Sequence, residues 1–401
     1  MDQKKYPPVH ICIILPLFYP FKSGGIEKLY THLGRHFEEI GDAKISIVTR
    51  YLKTATDIVY PNNFDIYTVK TPSQTKIGRI FFLIYLSFIE NIVFAWKASR
   101  IVSKLSSRFD VIISSDPITM NFLKRYSKDI NRPIVLSSHG FLSDVIGLSQ
   151  PLIKPVYHYL EKRAWILCDY AVFFGKIHAH RFSNTKVPHM VLNAVVDLDE
   201  FDPKKYEGDV LRRKHGLDGK FLVITIASLR RRVKGFEYLI PAIQEVSDGI
   251  PNIMFLSVGK GNVPYYEKIA SHYKVNNYIH FFGMVPQNDV LELLRIADIF
   301  ILPSLSEGIP QAIAEALAME KPVIGTNVGG IPDILTHEKT GIIIPPRSSQ
   351  AISQAIIELY KNPEKRKMLA IAGRKEIIDQ CSVKAVAENF YSLLISLTKN
   401  H

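Results

Sequence analysis

The sequence predicts an α/β protein made of two doubly wound domains of parallel sheet. Three observations point there. Short, near-continuous apolar segments alternate with amphipathic helical stretches along the chain. A polar, turn-rich stretch interrupts that alternation near the middle. A length of 401 residues is enough chain for two well-covered cores.

The elements follow in order. Strands are expected at 10–15, 45–49, 111–114, 134–138 and 170–174, then at 222–227, 253–258, 279–282, 299–302 and 322–325. Most are runs of Ile, Val, Leu and Phe too short for a helix, and their continuity marks strands covered on both faces. Helices are expected at 26–39, 154–167, 236–246, 288–297, 310–319 and 349–361, where apolar residues recur at helical spacing. The break is the segment DLDEFDPKKYEGDVLRRKHGLDG at 197–219, which contains no apolar run. The domains are therefore placed at 1–200 and 201–380. The stretch 381–401, helical over 382–397, is long enough to cross back onto the first domain. Two such domains facing each other would bring the carboxyl ends of both sheets to one cleft, where open α/β sheets bind ligands.

Composition narrows the class. With 47% hydrophobic and 22% charged residues, the chain is neither disordered nor fibrous. Its three cysteines, Cys12, Cys168 and Cys381, lie far apart, which excludes a disulfide scaffold and a Cys-based zinc site and fits a reducing, cytoplasmic compartment. The net charge is +12, but residues 1–190 hold 25 Lys and Arg against 14 Asp and Glu, and residues 191–401 hold 25 against 24. An excess of +11 in one half and +1 in the other suggests a first domain that faces an anionic partner: on charge alone, lipid phosphates, a pyrophosphate-bearing acceptor or nucleic acid.

No secretory signal is expected, because the apolar run at 9–15 is short and ends at Pro16. The strongest membrane candidate is IFFLIYLSFIENIVFAW at 80–96. Its apolar part stops at Glu90-Asn91, short of a spanning helix. Lys76 and Arg79 precede it, and Lys97, Arg100, Lys104 and Arg108 follow. Either a helix lying in an anionic membrane surface through 76–108 or a core helix with solvated ends would read this way.

The densest chemical signal is PSLSEGIPQAIAEALAMEKPVIGTNVGGIPDILTHEKTGIIIPP. Glu307 falls in the loop after the strand at 299–302, and Glu315 lies inside a helix opened by Pro310. Gly308 and Ile309 precede that helix, so backbone N–H groups and the positive end of its dipole suit a phosphate or sugar hydroxyls. Glu315 could accept two hydrogen bonds from a ribose diol. The alternative is a helix with a merely solvated acidic first turn. In the first half, Lys22-Ser23-Gly24-Gly25-Ile26-Glu27 follows the first strand and opens a helix. Gly24 and Gly25 would let backbone amides approach a phosphate, with Lys28 assisting.

Across nearly its whole length the chain resembles glycosyltransferase family 4, the retaining nucleotide-sugar transferases with the GT-B fold of two Rossmann-like domains. The likeness is strongest over 279–346. It implies that Glu307 holds donor-sugar hydroxyls, helped by amides of Gly308 and Ile309, that Gln311 approaches the diphosphate and that Glu315 binds the ribose. The family's E-G-F-G-L is here E-G-I-P-Q, and Pro310 removes one N–H from the set. In Ala227-Ser228-Leu229-Arg230-Arg231-Arg232-Val233-Lys234-Gly235, Lys234 matches the lysine that neutralises the donor diphosphate. Ser228 stands where the family has arginine, so one of Arg230, Arg231 or Arg232 would supply the second cation. Gly259 and Met284 are placed on the donor side by the same resemblance. His139, at the end of the strand at 134–138, matches the histidine that meets the donor sugar. Asp197-Leu198-Asp199 is formally D-x-D, but it falls in the segment matching N-G-V-D-x-x-x-F, so no metal is expected.

The resemblance further implies transfer with retention from a UDP-, GDP- or ADP-sugar to a hydroxyl of a glycan or lipid-linked acceptor. No metal, cofactor or protein nucleophile is implied, and domain closure would exclude water. Such an enzyme would serve cell-surface polysaccharide or glycolipid synthesis, peripheral on the inner face of the plasma membrane. The competing readings are a sugar-nucleotide epimerase, a sugar phosphorylase, or a basic membrane or nucleic-acid adaptor. Nucleic acid is not expected, since an adaptor would leave Lys234, Glu307 and Glu315 unexplained.

Overall fold

The computed structural model describes residues 6–16, 25–41, 43–51, 63–71, 86–126, 128–138, 153–180, 185–229 and 232–399. The chain divides into two compact units, 1–192 with 383–401 and 193–382.

The first unit is a seven-stranded sheet in the order β3-β2-β1-β4-β5-β6-β7, parallel throughout. Its strands are β1 His10–Ile14, β2 Lys44–Arg50, β3 Phe64–Val69, β4 Val111–Ser114, β5 Ile134–Ser138, β6 Tyr170–Phe174 and β7 His189–Leu192. Ile11, Cys12, Ile13 and Ile14 are all buried, as a central strand covered on both faces requires. The helices are α1 Gly25–Gly41, α2 Leu86–Leu105, α3 Pro117–Arg125, α4 Lys154–Leu167 and α5 Lys176–His180. A cluster of Ala95, Ile118, Ile153 and Tyr157 joins α2, α3 and α4 into one layer.

The second unit is a six-stranded parallel sheet in the order β10-β9-β8-β11-β12-β13. Its elements run α6 Gly208–Lys214, β8 Phe221–Ile226, α7 Phe236–Gly249, β9 Ile253–Val258, α8 Val263–His272 and β10 Ile279–Gly283. They continue with α9 Gln287–Ile296, β11 Ile299–Leu302, α10 Gln311–Ala318, β12 Val323–Thr326, α11 Ile331–Ile334 and β13 Ile342–Ile344. Helices α12 Ser349–Lys361 and α13 Pro363–Cys381 close this unit, and α14 Val383–Lys399 belongs to the first.

On α14, the Tyr391 hydroxyl donates to the carbonyls of Pro7 (3.0 Å) and Gly41 (3.1 Å), and its ring lies 5.1 Å from that of Phe37. Gly41 carries no side chain because a Cβ there would sit 2.4 Å from the Tyr391 ring.

Several expectations shift. The boundary falls at 192/193 rather than 200/201, because Val196 pairs with Ser382 and its N–H donates to the Cys381 carbonyl at 2.8 Å. The second crossing is at 382/383, not 380/381. Strands β3, β7 and β13 were not expected: FDIYTV and HMVL mix polar residues into the run, and III is only three residues long. The described part of the 76–108 segment is a core helix, with Phe94, Ala95, Ala98 and Val102 fully buried and only Ile89 and Trp96 well exposed among its large apolar residues. Residues 76–85 lie outside the described ones. No described helix is long and apolar enough to cross a membrane. The three cysteines are free and buried, and burial pushes each thiol up, to about 12 for Cys168 and Cys381.

Candidate functional site

In the second unit the strand order reverses between β8 and β11. Strands β9 and β10 extend one way from β8, and β12 and β13 extend the other way from β11. The crevice beyond the carboxyl ends of the strands at such a reversal is where doubly wound sheets take ligands. The loops leaving β8 and β11 hold the two strongest candidates. Lys234 ends a short turn, Arg232–Lys234, and its Nζ lies 2.6 Å from Glu307 Oε1. The Glu307 side chain is only 8% exposed and accepts a second bond from Ser304 Oγ at 2.5 Å. A lysine and a carboxylate held together here can divide between a phosphate and sugar hydroxyls.

The loops that carry the pair are fixed to each other. Leu305 N–H donates to the Val233 carbonyl at 2.7 Å, joining the β8 and β11 loops. Gly235 adopts a left-handed conformation (φ 71°), and a Cβ there would lie 1.9 Å from the Pro303 carbonyl oxygen. Thr326 Oγ1, at the end of β12, donates to the Ser304 carbonyl at 2.6 Å. Gly330 N–H donates to the Gly308 carbonyl at 3.0 Å, and Gly329 is packed so closely that a Cβ would meet the Glu307 carbonyl oxygen at 1.9 Å. Ser304, Thr326, Gly235, Gly329 and Gly330 were not singled out by the sequence reading. For Ser304, Thr326, Gly329 and Gly330 the signal in the sequence is the small-residue run around PSLSEG and NVGG, and for Gly235 it is the Lys234-Gly235 pair that opens α7.

The remaining donor-side candidates take the following places. Gly308 and Ile309 are half-buried and Pro310 is buried. Pro310 is the residue before α10, not the helix's first residue; it provides the carbonyl that accepts from Ile313 and Ala314 N–H. Gln311 Nε2 donates to the Val195 carbonyl at 2.6 Å and to Glu315 Oε1 at 3.5 Å, and Glu315 is half-buried. Ser228 is exposed, with its hydroxyl donating to the Lys260 carbonyl at 3.3 Å. Gly259 is closely packed, a Cβ there falling 2.0 Å from the Ala227 carbonyl oxygen. Met284, just past β10, is 73% exposed. Asp197 Oδ1 accepts from the N–H groups of Asp199 (2.9 Å) and Glu200 (3.1 Å), which places the D-x-D in a local turn.

The carboxyl edge of the first sheet is polar as well. Arg50 ends β2, hydrogen-bonds Asn91, lies 3.6 Å from Glu90 and stacks over the Phe94 ring at 5.5 Å. Burial lowers its pKa against the pull of Glu90 and Asp116. Asp116 follows β4 and caps α3, accepting from Thr119 N–H (2.8 Å) and Thr119 Oγ1 (2.7 Å). Burial raises its pKa despite those bonds. Tyr30 on α1 donates to Ser137 Oγ at 2.6 Å. Gly25 opens α1 as expected of a helix after the first strand. Gly24, His139, Arg230 and Arg231 lie outside the described residues, as does the side chain of Arg232.

Two parallel Rossmann-like sheets in one chain, one with a braced reversal point, define the GT-B class of fold. Residues 208–376 match the family model described as Glycosyl transferases group 1. That match lies within the second unit, and the chain is similar to glycosyltransferases of family 4. A similar curated protein is a GDP-mannose-dependent alpha-(1-6)-phosphatidylinositol monomannoside mannosyltransferase of Mycolicibacterium smegmatis, 28% identical over 261 residues. That match covers 62% of this chain and 66% of the relative, just under two thirds of its length. Among solved structures, sucrose-phosphate synthase of Thermosynechococcus elongatus superposes with a TM-score of 0.80 at 16% identity, over 98% of this chain and all of that one. Anabaena HepE in complex with UDP and glucose gives 0.74 at 16% identity, over 97% and 100%. At these identities the two structures speak for the fold alone.

Proposed function

We propose that the protein transfers a sugar, with retention at the anomeric carbon, from a nucleoside-diphosphate sugar to a hydroxyl of a glycan or lipid-linked acceptor. The observation that carries this reading is the Lys234–Glu307 pair, 2.6 Å long, at the reversal point of the second sheet. Lys234 would neutralise the departing diphosphate, and Glu307 would orient the sugar hydroxyls beside it. Amides at Gly308 and Ile309 ahead of α10 would add to the positive field. Glu315 would take the ribose. A diphosphate oxygen would accept the proton of the attacking hydroxyl, so no metal or protein nucleophile is needed.

The mannosyltransferase relative, whose name gives a phosphatidylinositol mannoside as acceptor, supports a lipid-linked acceptor for this chain too. The basic first half, +11 over residues 1–190, supports the same acceptor and a site of action at the inner face of the plasma membrane. The test is incubation with labelled UDP-, GDP- and ADP-sugars and isolated membranes. Label moved to a glycan or lipid supports the proposal. Isomerised nucleotide sugar, or sugar phosphate formed only with added phosphate, overturns it.

A further inference from the structure

We infer that the outer face of α4 is a docking surface for an anionic lipid bilayer. The inference deepens the lipid-linked acceptor reading and rests on it for its purpose, although its test needs no sugar transfer. Three large apolar residues of α4 are exposed: Val156 by 43%, Tyr159 by 60% and Ile166 by 72%. At 3.6 residues per turn they share one side, within an arc of ~120° that also contains Lys162 and Arg163. Lys154, at the amino end, is exposed too, as are Lys162 and Arg163. The helix's one acidic residue, Glu161, points the other way and is 4% exposed. Tyr157, Ala164 and Trp165 on that inner side are buried against the unit's core.

This is an inverted arrangement for a helix on the outside of a domain. Its inner face is already filled, yet its outer face keeps apolar side chains that a solvated helix would replace with charged ones. Apolar residues bordered by lysine and arginine, with no outward acid, fit the boundary between acyl chains and anionic head groups. A second copy of the chain fits poorly, because a two-fold contact would bring Lys162 and Arg163 against their own counterparts. Nucleic acid would use the charges and leave Val156, Tyr159 and Ile166 in water.

The contact differs in place from the 76–108 segment, whose described apolar face is mostly spent on the core. Trp96, the exposed aromatic of α2, lies under the Arg100 guanidinium at 5.2 Å and provides the comparison.

The test is sedimentation of the full chain with phosphatidylcholine vesicles carrying about a third phosphatidylglycerol, at low and high salt. The expected result is binding that weakens with salt and is absent on pure phosphatidylcholine. The double variants Tyr159→Ser with Ile166→Ser, and Lys162→Glu with Arg163→Glu, should each weaken binding about tenfold or more. Trp96→Ser should change it less than about twofold. All substituted positions are exposed, and nucleoside-diphosphate binding measured alongside reports that the second unit is intact. Vesicle binding by the α4 variants equal to the parent overturns the inference. So does a concentration-dependent dimer in light scattering that the Tyr159→Ser, Ile166→Ser variant abolishes. Loss of nucleotide binding in the parent would instead count against the sugar-transfer reading.

Discussion

The two sheets finish differently at their carboxyl edges. In the second unit, the loops after β8, β11 and β12 are tied backbone to backbone, with glycines Gly235, Gly329 and Gly330 allowing approaches no side chain permits. The pair Lys234–Glu307 stands on that frame. Among the described residues of the first unit, the edge combines single backbone bonds, such as Ser115 N–H to the Ile14 carbonyl (3.2 Å), with separate side-chain contacts: Arg50 with Glu90 and Asn91, Asp116 on α3, and Tyr30 with Ser137. The braced edge suits a ligand portion common to many donors, the sugar pyrophosphate, which must be gripped in one geometry. An edge of individual side chains can be altered one residue at a time, as differing acceptors demand. The family model matches residues 208–376, which lie within the braced unit.

Substitutions can break this contrast at different strengths. Removing the cation should have the largest effect: Lys234→Ala is expected to lower turnover about 10²–10³-fold with an unchanged far-UV spectrum, measured by transfer of labelled sugar. Filling a glycine of the frame should come next. Gly235→Ala places a Cβ 1.9 Å from a backbone oxygen and should cost about 3 kcal/mol or more of stability in urea unfolding. Gly216→Ala is its control, with similar φ (64°) but open space around it, and should cost only about 1 kcal/mol. In the first unit, Tyr391→Phe removes the one hydroxyl proton shared between two carbonyls and should destabilise by about 1–2 kcal/mol while leaving donor binding untouched.

A further prediction concerns pH. Lys321 is buried where its Nζ donates to the carbonyls of Arg295 (2.6 Å) and Ala297 (3.0 Å) at the end of α9. Burial, with the Arg295 charge adding to it, pulls its pKa down to about 7 from 10.5. Between those values the unfolded chain binds the extra proton, so this group makes stability rise with pH above about 7, and not below it. Lys321→Met should flatten the pH dependence of urea midpoints between pH 7 and about 9.

Much of this was legible in the sequence, for identifiable reasons. Strands such as β1, β8 and β11 are short, near-continuous apolar runs (HICII, FLVITI, IFIL) because both faces are covered, and those runs are too short for helix. Edge and near-edge strands β3, β7 and β13 are shorter or interrupted by Asp65, Tyr67 or His189, and so lack the run. Lys234 and Glu307 were each legible from local motifs. Their pairing was not, since 73 residues separate them and only the strand order brings their loops together. Ser304 and Thr326 carry no chemistry of their own, and their role follows from what they touch. The 80–96 segment was ambiguous because an apolar helix looks alike whether it meets a core or a bilayer. Phe94 and Ala95 resolve it for the described part, and the exposed stripe of α4 gives little signal in the sequence because it is only three apolar residues among bases.

The central claim is that Lys234 grips the pyrophosphate of an activated sugar, and calorimetric titration with UDP, GDP and ADP tests it most directly. One of these should bind the parent, and Lys234→Ala should lose about tenfold or more in affinity. Equal affinity in the two proteins, or no binding of any of the three to the parent, would contradict it.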